Sequence, residues 1–117
     1  MQLCDKDIFD ALKCGQLIFL GLNKKYPFVP EKQVQPASID LRLGNRFVKF
    51  KKDINSFDIK NIDFINEYLD ELFLEDNQGY TIYPREVIYC HIYEQMSIGN
   101  RYSARIEGRS RVARLGL

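Results

Sequence analysis

The sequence has no tryptophan, one histidine and three cysteines among its 117 residues. The single histidine, His91, has no recognisable partner for nucleophilic triad chemistry. Its neighbour Cys90 forms an adjacent pair with it, which is not the ligand spacing of a zinc site. The cysteines are therefore interpreted as reduced thiols, and we predict no metal site built from protein side chains.

The chain also lacks any apolar run long enough to cross a bilayer. Its first residues have neither the basic n-region nor the apolar h-region of a secretion signal. We therefore expect no membrane association and a cytoplasmic location. The size of 13.8 kDa and the 45% apolar content predict one domain, residues 1–117, with a hydrophobic core of its own.

A strong excess of positive charge is missing as well, because the formal net charge is +1. The charges are nevertheless unevenly placed: residues 61–76 carry six acidic side chains and no basic one, whereas residues 101–117 carry five arginines against one glutamate. An arginine-rich segment could bind nucleic acid together with Lys49, Lys51 and Lys52. The near-neutral total argues against that function and predicts no nucleic-acid partner.

The first third of the chain predicts a short helix followed by strands. Asp5 can accept hydrogen bonds from the first helical turn, and Gly15 can take the left-handed conformation that ends a helix. A strand is predicted over residues 16–20 and a proline-rich loop over residues 21–36. Residues 38–44 alternate in polarity, which predicts a half-buried strand with Ile39, Leu41 and Leu43 on its inner face, continued by residues 46–50.

The middle and end of the chain predict more β structure. Residues 62–74 have the spacing of an acidic amphipathic helix, although a structured loop would also suit them. Residues 79–84, 86–93 and 102–107 are predicted to be strands because they are rich in tyrosine, isoleucine and valine. Many short strands without a βαβ rhythm favour a mainly β fold of the barrel or jelly-roll type with a short N-terminal helix.

The C-terminal segment Glu107–Leu117 is the strongest candidate for a binding site. Gly108 would let the backbone approach a bound group, and Ser110 is placed to cap a short helix. Arg109, Arg111 and Arg114 could donate charge-assisted hydrogen bonds to phosphate oxygens. The residues alone leave two interpretations open: a polyphosphate cradle, or a surface turn whose arginines pair with acids elsewhere.

Two segments resemble the signatures of the dCTP deaminases. The first is Gln35–Gly44, and the second runs from Glu107-Gly108-Arg109-Ser110 through Ala113-Arg114-Leu115-Gly116-Leu117. The N-terminal Leu3–Ile8 is similar to the opening of that family, and the likeness is weakest over about residues 51–77. The resemblance implies a dUTPase-like distorted β-barrel or jelly roll, a homotrimer with active sites between subunits, and conversion of dCTP to dUTP and ammonia. It also implies Mg²⁺ bound through the triphosphate and no zinc.

The same resemblance assigns roles to residues of the second signature. Arg109, Ser110 and Arg114 match residues that contact the substrate and its triphosphate, and the serine also helps to hold the attacking water. Val112 and Ala113 belong to the same binding turn. Arg111 is counted among the substrate-binding residues although the family usually has a serine there. Asp40 and Arg42 match first-signature residues, for which we expect structural support as a satisfied polar pair.

The resemblance also implies that the catalytic glutamate of the family lies beyond Leu117. We therefore expect an enzyme whose N-terminal part is this chain, with a fold that is incomplete at the C-terminus. Glu94 and Glu107 are the nearest carboxylates, and their strand context indicates pairing or surface roles.

Three other functional classes can be compared with this expectation. A truncated relative could bind a nucleotide or a partner chain without catalysis. A dUTPase would have a different first signature. A zinc-dependent deaminase would need a His-x-Glu segment followed by Pro-Cys-x-x-Cys, which this chain lacks.

Overall fold

The first element of the computed structural model, which describes residues 1–116, is the helix α1 (Asp5–Lys13). Asp5 accepts a hydrogen bond from the backbone N–H of Lys6 at 2.8 Å, which confirms its predicted role as an acceptor, but Asp5 is the first helical residue and Cys4 occupies the N-cap position. Asp7 adds a second acceptor, which takes the backbone N–H of Cys4 at 3.2 Å. Gly15 follows the helix with φ +75°, so its predicted left-handed conformation is confirmed.

The remaining elements are short. In chain order they are β1 (Leu17–Gly21), α2 (Pro30–Gln33), β2 (Val34–Gln35), β3 (Ser38–Ile39), β4 (Leu43–Phe50), a 3₁₀ helix (Ile59–Tyr68), β5 (Leu69–Phe73), β6 (Tyr89–Ile92), β7 (Glu94–Ile98) and α3 (Ser110–Ala113). The strands form three small antiparallel sheets, with the orders β1-β7, β2-β3 and β5-β4-β6. The predicted mainly β fold with a short N-terminal helix is confirmed. Within residues 1–116 the sheets do not close into a barrel, which agrees with an incomplete distorted β fold.

Several predicted boundaries were wrong because strand pairing overrides local preference. Residues 62–74 form the end of the 3₁₀ helix and then β5, which pairs with β4 from Arg46↔Phe73 to Phe50↔Leu69. Residues 79–84 and 102–107 form no strand, since β-rich composition without a hydrogen-bonding neighbour gives no ladder. The predicted strand over residues 86–93 shortens to β6, and β7 follows it directly.

The first signature also departs from the predicted strand. Residues 40–42 interrupt it between β3 and β4, because their backbone groups bond to other parts of the chain: the N–H of Asp40 donates to the carbonyl of Gln33 at 2.8 Å. Leu43 is 65% exposed, so its predicted burial beside Ile39 and Leu41 was wrong. The predicted loop 21–36 contains α2, which begins at Pro30 as a first-turn proline favours.

The apolar core is small and lies between α1 and the sheet β1-β7. Its buried members are Ile8, Ala11 and Leu17. The accessible surface is 9930 Å², whereas a compact monomer of this mass exposes about 6,600 Å². Large apolar side chains on the sheets remain in solvent, among them Leu20 and Phe73. No helix within residues 1–116 has both the length and the apolar character needed to traverse a bilayer.

A polar cluster of Gln33, Arg42 and Glu94, of which Gln33 and Glu94 are buried, connects α2, the first signature and β7. The Glu94 carboxylate is buried and accepts three hydrogen bonds: from Gln33 Nε2 at 2.8 Å, from Arg42 Nε at 2.6 Å and from the Arg42 backbone N–H at 3.0 Å. Arg42 Nη2 donates to the carbonyls of Tyr26 and Pro27 at 3.1 and 2.9 Å. The polar pair expected for Arg42 therefore exists, and its partner is Glu94 rather than Asp40.

Burial raises the pKa of Glu94, but the hydrogen bonds from Arg42 and Gln33 outweigh it and hold this pKa below its ordinary value. The folded state thus binds the proton less readily than the unfolded state. The stability that the ionised carboxylate contributes is present above the ordinary glutamate pKa and is lost as the pH falls through the lower pKa of the folded state.

We expect Gly21→Ala to destabilise the fold by at least about 2 kcal/mol, because an overpacked site cannot relax when its neighbours are backbone atoms. A Cβ at Gly21 would overlap the carbonyl oxygen of Tyr26 and lie 2.7 Å from Pro27 Cα. Urea unfolding followed by circular dichroism measures the change. Gly79→Ala is the matched control, since a Cβ at Gly79 meets nothing within 4 Å; equal stability losses in both variants would contradict this explanation.

We expect Glu94→Gln to lower the free energy of unfolding by about 1–3 kcal/mol near neutral pH, because a buried acceptor is lost while the Arg42 side chain, which is 36% exposed, can still be solvated. All of its partners are donors, so the new amide NH₂ must face at least one of them. Urea unfolding at about pH 7 and about pH 4 should show the difference from the parent chain shrinking on acidification. Glu107→Gln, at an exposed residue, is the control; a difference independent of pH would refute the ionised state of Glu94.

Candidate functional site

The first signature begins as a tight hairpin. β2 and β3 pair through Val34↔Ile39 and Gln35↔Ser38, with Pro36 and Ala37 at the turn. The Pro36 carbonyl accepts the backbone N–H of Asp5 at 2.9 Å, and the Ala37 carbonyl accepts from Gln2 Nε2 at 3.3 Å. The hairpin is thereby attached to the start of α1.

Asp40, which follows the hairpin, is held at each of its polar groups. Its backbone N–H donates to the Gln33 carbonyl at 2.8 Å, and its carbonyl accepts from Gln33 Nε2 at 2.9 Å. Its carboxylate accepts from Gln35 Nε2 at 3.1 Å. Gln33 is the buried residue that also bonds Glu94, so the position of Asp40 is fixed by the polar cluster.

The second signature forms a short exposed turn of helix. Arg109 is extended and occupies the N-cap position, and α3 follows from Ser110 to Ala113 with Arg114 at the C-cap. The prediction that Ser110 caps this helix was wrong, because Ser110 is the first helical residue and no side chain caps α3. Leu117, the last residue of the signature, lies outside the described residues.

One ion pair brings the two signatures together. Arg109 Nη2 donates to Asp40 Oδ2 at 2.8 Å, with the arginine side chain 72% exposed and the aspartate side chain 25% exposed. Within residues 1–116, no other hydrogen bond or ion pair joins residues 103–116 to the rest of the chain. The position of the turn thus depends on this contact.

The other candidate residues lie together on the turn and face solvent. Ser110, Arg111, Val112, Ala113 and Arg114 are all exposed. Neither Arg111 nor Arg114 has an acidic partner within the described part of the chain, whereas Arg109 does. The interpretation of a turn neutralised by internal acids therefore holds for Arg109 alone, and two cations are left available to an anion.

Gly108, just before the turn, also has free space around it. A Cβ there would meet nothing within 4 Å, so no contact inside residues 1–116 requires a glycine. The turn itself is an open surface: two shallow depressions lie elsewhere, one beside Tyr93 and the other beside Tyr102. The exposed arginines of the turn therefore lie on an open surface and not in a pocket.

The sequence did not indicate two of the residues that support this arrangement. Gln33 lies in a stretch predicted to be a loop, and nothing in its neighbours signals burial. Gln35 stands inside the first signature, but its bond to the Asp40 carboxylate depends on the hairpin register. Glu94 was expected to have a pairing or surface role, and it is the buried acceptor of the polar cluster.

The profile of the dCTP deaminase-like family matches residues 5–117. A "dCTP deaminase, dUMP-forming" of Methanosphaera stadtmanae is 36% identical over 119 aligned residues, which cover 98% of this chain and 56% of the relative. The protein of the same name from Persephonella marina is 38% identical, over 100% of this chain and 60% of the relative. A "dCTP deaminase" of Haloarcula marismortui is 31% identical, over 100% and 58%.

The alignments with these relatives cover nearly all of this chain but only part of each relative. The chain spans somewhat less than two thirds of the length of these proteins. The family profile, in contrast, covers nearly the whole of this chain, including both signatures and the turn between Arg109 and Arg114. The chain belongs to the dCTP deaminase-like family.

Proposed function

We propose that this chain supplies the triphosphate-binding part of a dCTP deaminase. The observation that carries the proposal is the turn at residues 109–114, where Arg111 and Arg114 have no acidic partner within the described residues and Arg109 is anchored by Asp40. Guanidinium groups suit the phosphate oxygens of a nucleotide because they donate parallel, charge-assisted hydrogen bonds. The proposed substrate-binding residues are Arg109, Ser110, Arg111, Val112, Ala113 and Arg114.

The proposed reaction replaces the amino group at C4 of cytosine by oxygen. Water adds to C4, the C4–N bond breaks, and dCTP and water become dUTP and ammonia. A base must deprotonate the water and an acid must protonate the departing nitrogen. In this proposal the Ser110 hydroxyl holds the water, and the base is a glutamate outside the 117 residues, as the family resemblance implies.

The turn fits magnesium only as a companion of the substrate. Mg²⁺ prefers oxygen ligands and is commonly held through substrate phosphates. Within residues 1–116, no cluster of three or more histidine, cysteine, aspartate or glutamate side chains could hold a metal ion. The phosphate oxygens of the substrate would therefore supply the ligands, while the arginines hold the same phosphates from the other side. Magnesium without zinc remains a prediction.

A homotrimer and a cytoplasmic location complete the proposal. What supports assembly is the surface: large apolar side chains on the sheets, among them Leu20 and Phe73, lie in solvent. A surface with this many large apolar side chains in solvent is often a place of contact with further polypeptide. The open phosphate site points the same way, since the turn supplies contacts from one side and the base would need to be bound from another.

Two other outcomes have a specific observation in their favour. A nucleotide-binding or partner-binding relative without catalysis is favoured because, within the described residues, the one carboxylate bonded to the turn is that of Asp40, which is already paired with Arg109. A dUMP-forming activity, which adds hydrolysis of dUTP to dUMP and pyrophosphate, is favoured by the names of the relatives from Methanosphaera stadtmanae and Persephonella marina.

Product analysis separates these functions. The 117-residue chain and the protein produced from the complete coding sequence are each incubated with dCTP and Mg²⁺, and ammonia, dUTP and dUMP are measured. We expect the complete protein to release ammonia and the 117-residue chain to release none. Turnover by the 117-residue chain would show that its own carboxylates supply the base. Binding of dCTP by the complete protein without ammonia would favour the non-catalytic alternative.

We expect Arg114→Ala in the complete protein to weaken dCTP binding by about 1.5–3 kcal/mol through the loss of charge-assisted hydrogen bonds. Isothermal titration calorimetry with Mg²⁺ present measures the change. Arg101→Ala is the matched control, because Arg101 is an exposed arginine outside the turn. An Arg114→Ala protein with the affinity of the parent would remove this residue from the site.

A further inference from the structure

The contact between Arg109 and Asp40 has two possible meanings for an anion site. Asp40 could lower the affinity by neutralising a cation, or it could raise the affinity by holding the turn in place. The two meanings predict opposite effects of removing the Asp40 charge. The contacts around Asp40 and Arg109 favour the second meaning, in which Asp40 holds the turn in place.

Asp40 is a rigid partner for Arg109. Three quarters of its side chain is covered, both backbone polar groups bond to Gln33, and its carboxylate also accepts from Gln35 at 3.1 Å. Gln33 in turn is fixed by the buried carboxylate of Glu94 at 2.8 Å. An ion pair loses less side-chain entropy when one member is already immobile, so this pair holds better than most surface pairs.

Among the described residues, Arg109 makes the one hydrogen bond and ion pair that joins residues 103–116 to this frame. Within residues 1–116, every other hydrogen bond made by this segment is internal to it. The segment forms no strand, and α3 is a single turn. Losing the link would therefore change where Ser110, Arg111 and Arg114 stand relative to the β2-β3 hairpin.

The charge of Asp40 has a smaller effect. Asp40 is already paired with Arg109, and salt screens interactions between charges near the surface, so neutralising Asp40 is expected to tighten anion binding only slightly. A contact at the upper end of what exposed pairs contribute changes the population of a conformation by about fivefold. The anchoring effect is the larger of the two.

We propose that Asp40 is a positioning residue, whose fixed carboxylate anchors Arg109 and so sets the arginine turn at residues 109–114 in place for a nucleotide triphosphate. The part that concerns the triphosphate rests on the proposed function. The anchor itself does not, because it joins two segments of the chain whether or not a nucleotide binds. Asp40, in the first signature, thereby influences the site through its contact with Arg109, in the second signature.

The first experiment tests the anchor without a ligand. Trypsin cleaves after arginine, and the rate of cleavage after Arg105 reports how freely the segment moves, as measured by intact mass. We expect Asp40→Asn to be cut about fivefold faster than the parent chain. Arg109→Gln, which breaks the same pair from the exposed side and leaves the hairpin intact, should be cut equally fast. Asp70→Asn, at an exposed aspartate on β5, is the control and should match the parent.

The second experiment tests the consequence for binding by a double-mutant cycle in the complete protein. The Kd of dCTP with Mg²⁺ is measured by calorimetry for Asp40→Asn, Arg109→Gln and the double variant. We expect Asp40→Asn to weaken binding about fivefold in the parent and to have no further effect once Arg109 is replaced. Asp40→Glu, which keeps the charge, should recover part of the loss. A general structural defect would weaken binding equally in both backgrounds.

Different results overturn different claims. Unchanged cleavage in both single variants, or tighter binding by Asp40→Asn that disappears at high salt, would overturn the anchor. Equal effects of Asp40→Asn with and without Arg109 would overturn it as well. A parent protein that binds neither dCTP nor inorganic tripolyphosphate would overturn the proposed function and the role of Asp40 in binding. Cleavage after Arg105 would then decide whether the anchor exists.

Discussion

The buried carboxylate of Glu94 is the group on which the arrangement of the candidate site depends. It accepts from Gln33 on α2 and from both the backbone and the side chain of Arg42. Because a buried charge is costly unless its hydrogen bonds are satisfied, these donors cannot move away from it without a large loss of stability. One acid at the start of β7 thus holds α2 and the first signature, whose bonded residues lie 61 and 52 residues earlier in the sequence.

From that acid a chain of contacts leads to the surface. Gln33 bonds both the Glu94 carboxylate and the Asp40 backbone, and Asp40 bonds Arg109 at the start of the exposed turn. Burial decreases along this path: Glu94 is buried, the Asp40 side chain is mostly covered, and Arg109 is mostly in solvent. Such a gradient suits a site that needs fixed positions behind it and free donors in front. The contact between Asp40 and Arg109 also brings the two signatures, which are 69 residues apart there, next to each other.

The class of fold and the segment that carries the candidate site could be predicted from the sequence. The long-range contacts that position this segment could not. The helix α1 and the conformation of Gly15 follow from local chemistry, and both are predictable. Residues 62–74 were predicted to be a helix or a structured loop, because Ile65, Leu69 and Leu72 have helical spacing, yet β5 within them forms by pairing with β4. The role of Gln33 was hidden for the same reason: an amide in a loop carries no local sign that a distant carboxylate will bond to it.

Because the apolar core is small, polar contacts rather than apolar packing hold the frame behind the turn. Ile8, Ala11 and Leu17 are the buried apolar residues of the described chain, and large parts of the sheets face solvent. A site whose frame is polar rather than apolar keeps its geometry only while each donor and acceptor is satisfied. Acidification through the lowered pKa of Glu94 removes its charge and weakens its bonds to Arg42 and Gln33. The anchoring of Arg109 then loses its support from behind while the arginines themselves stay charged, so binding and folding should weaken together in acid.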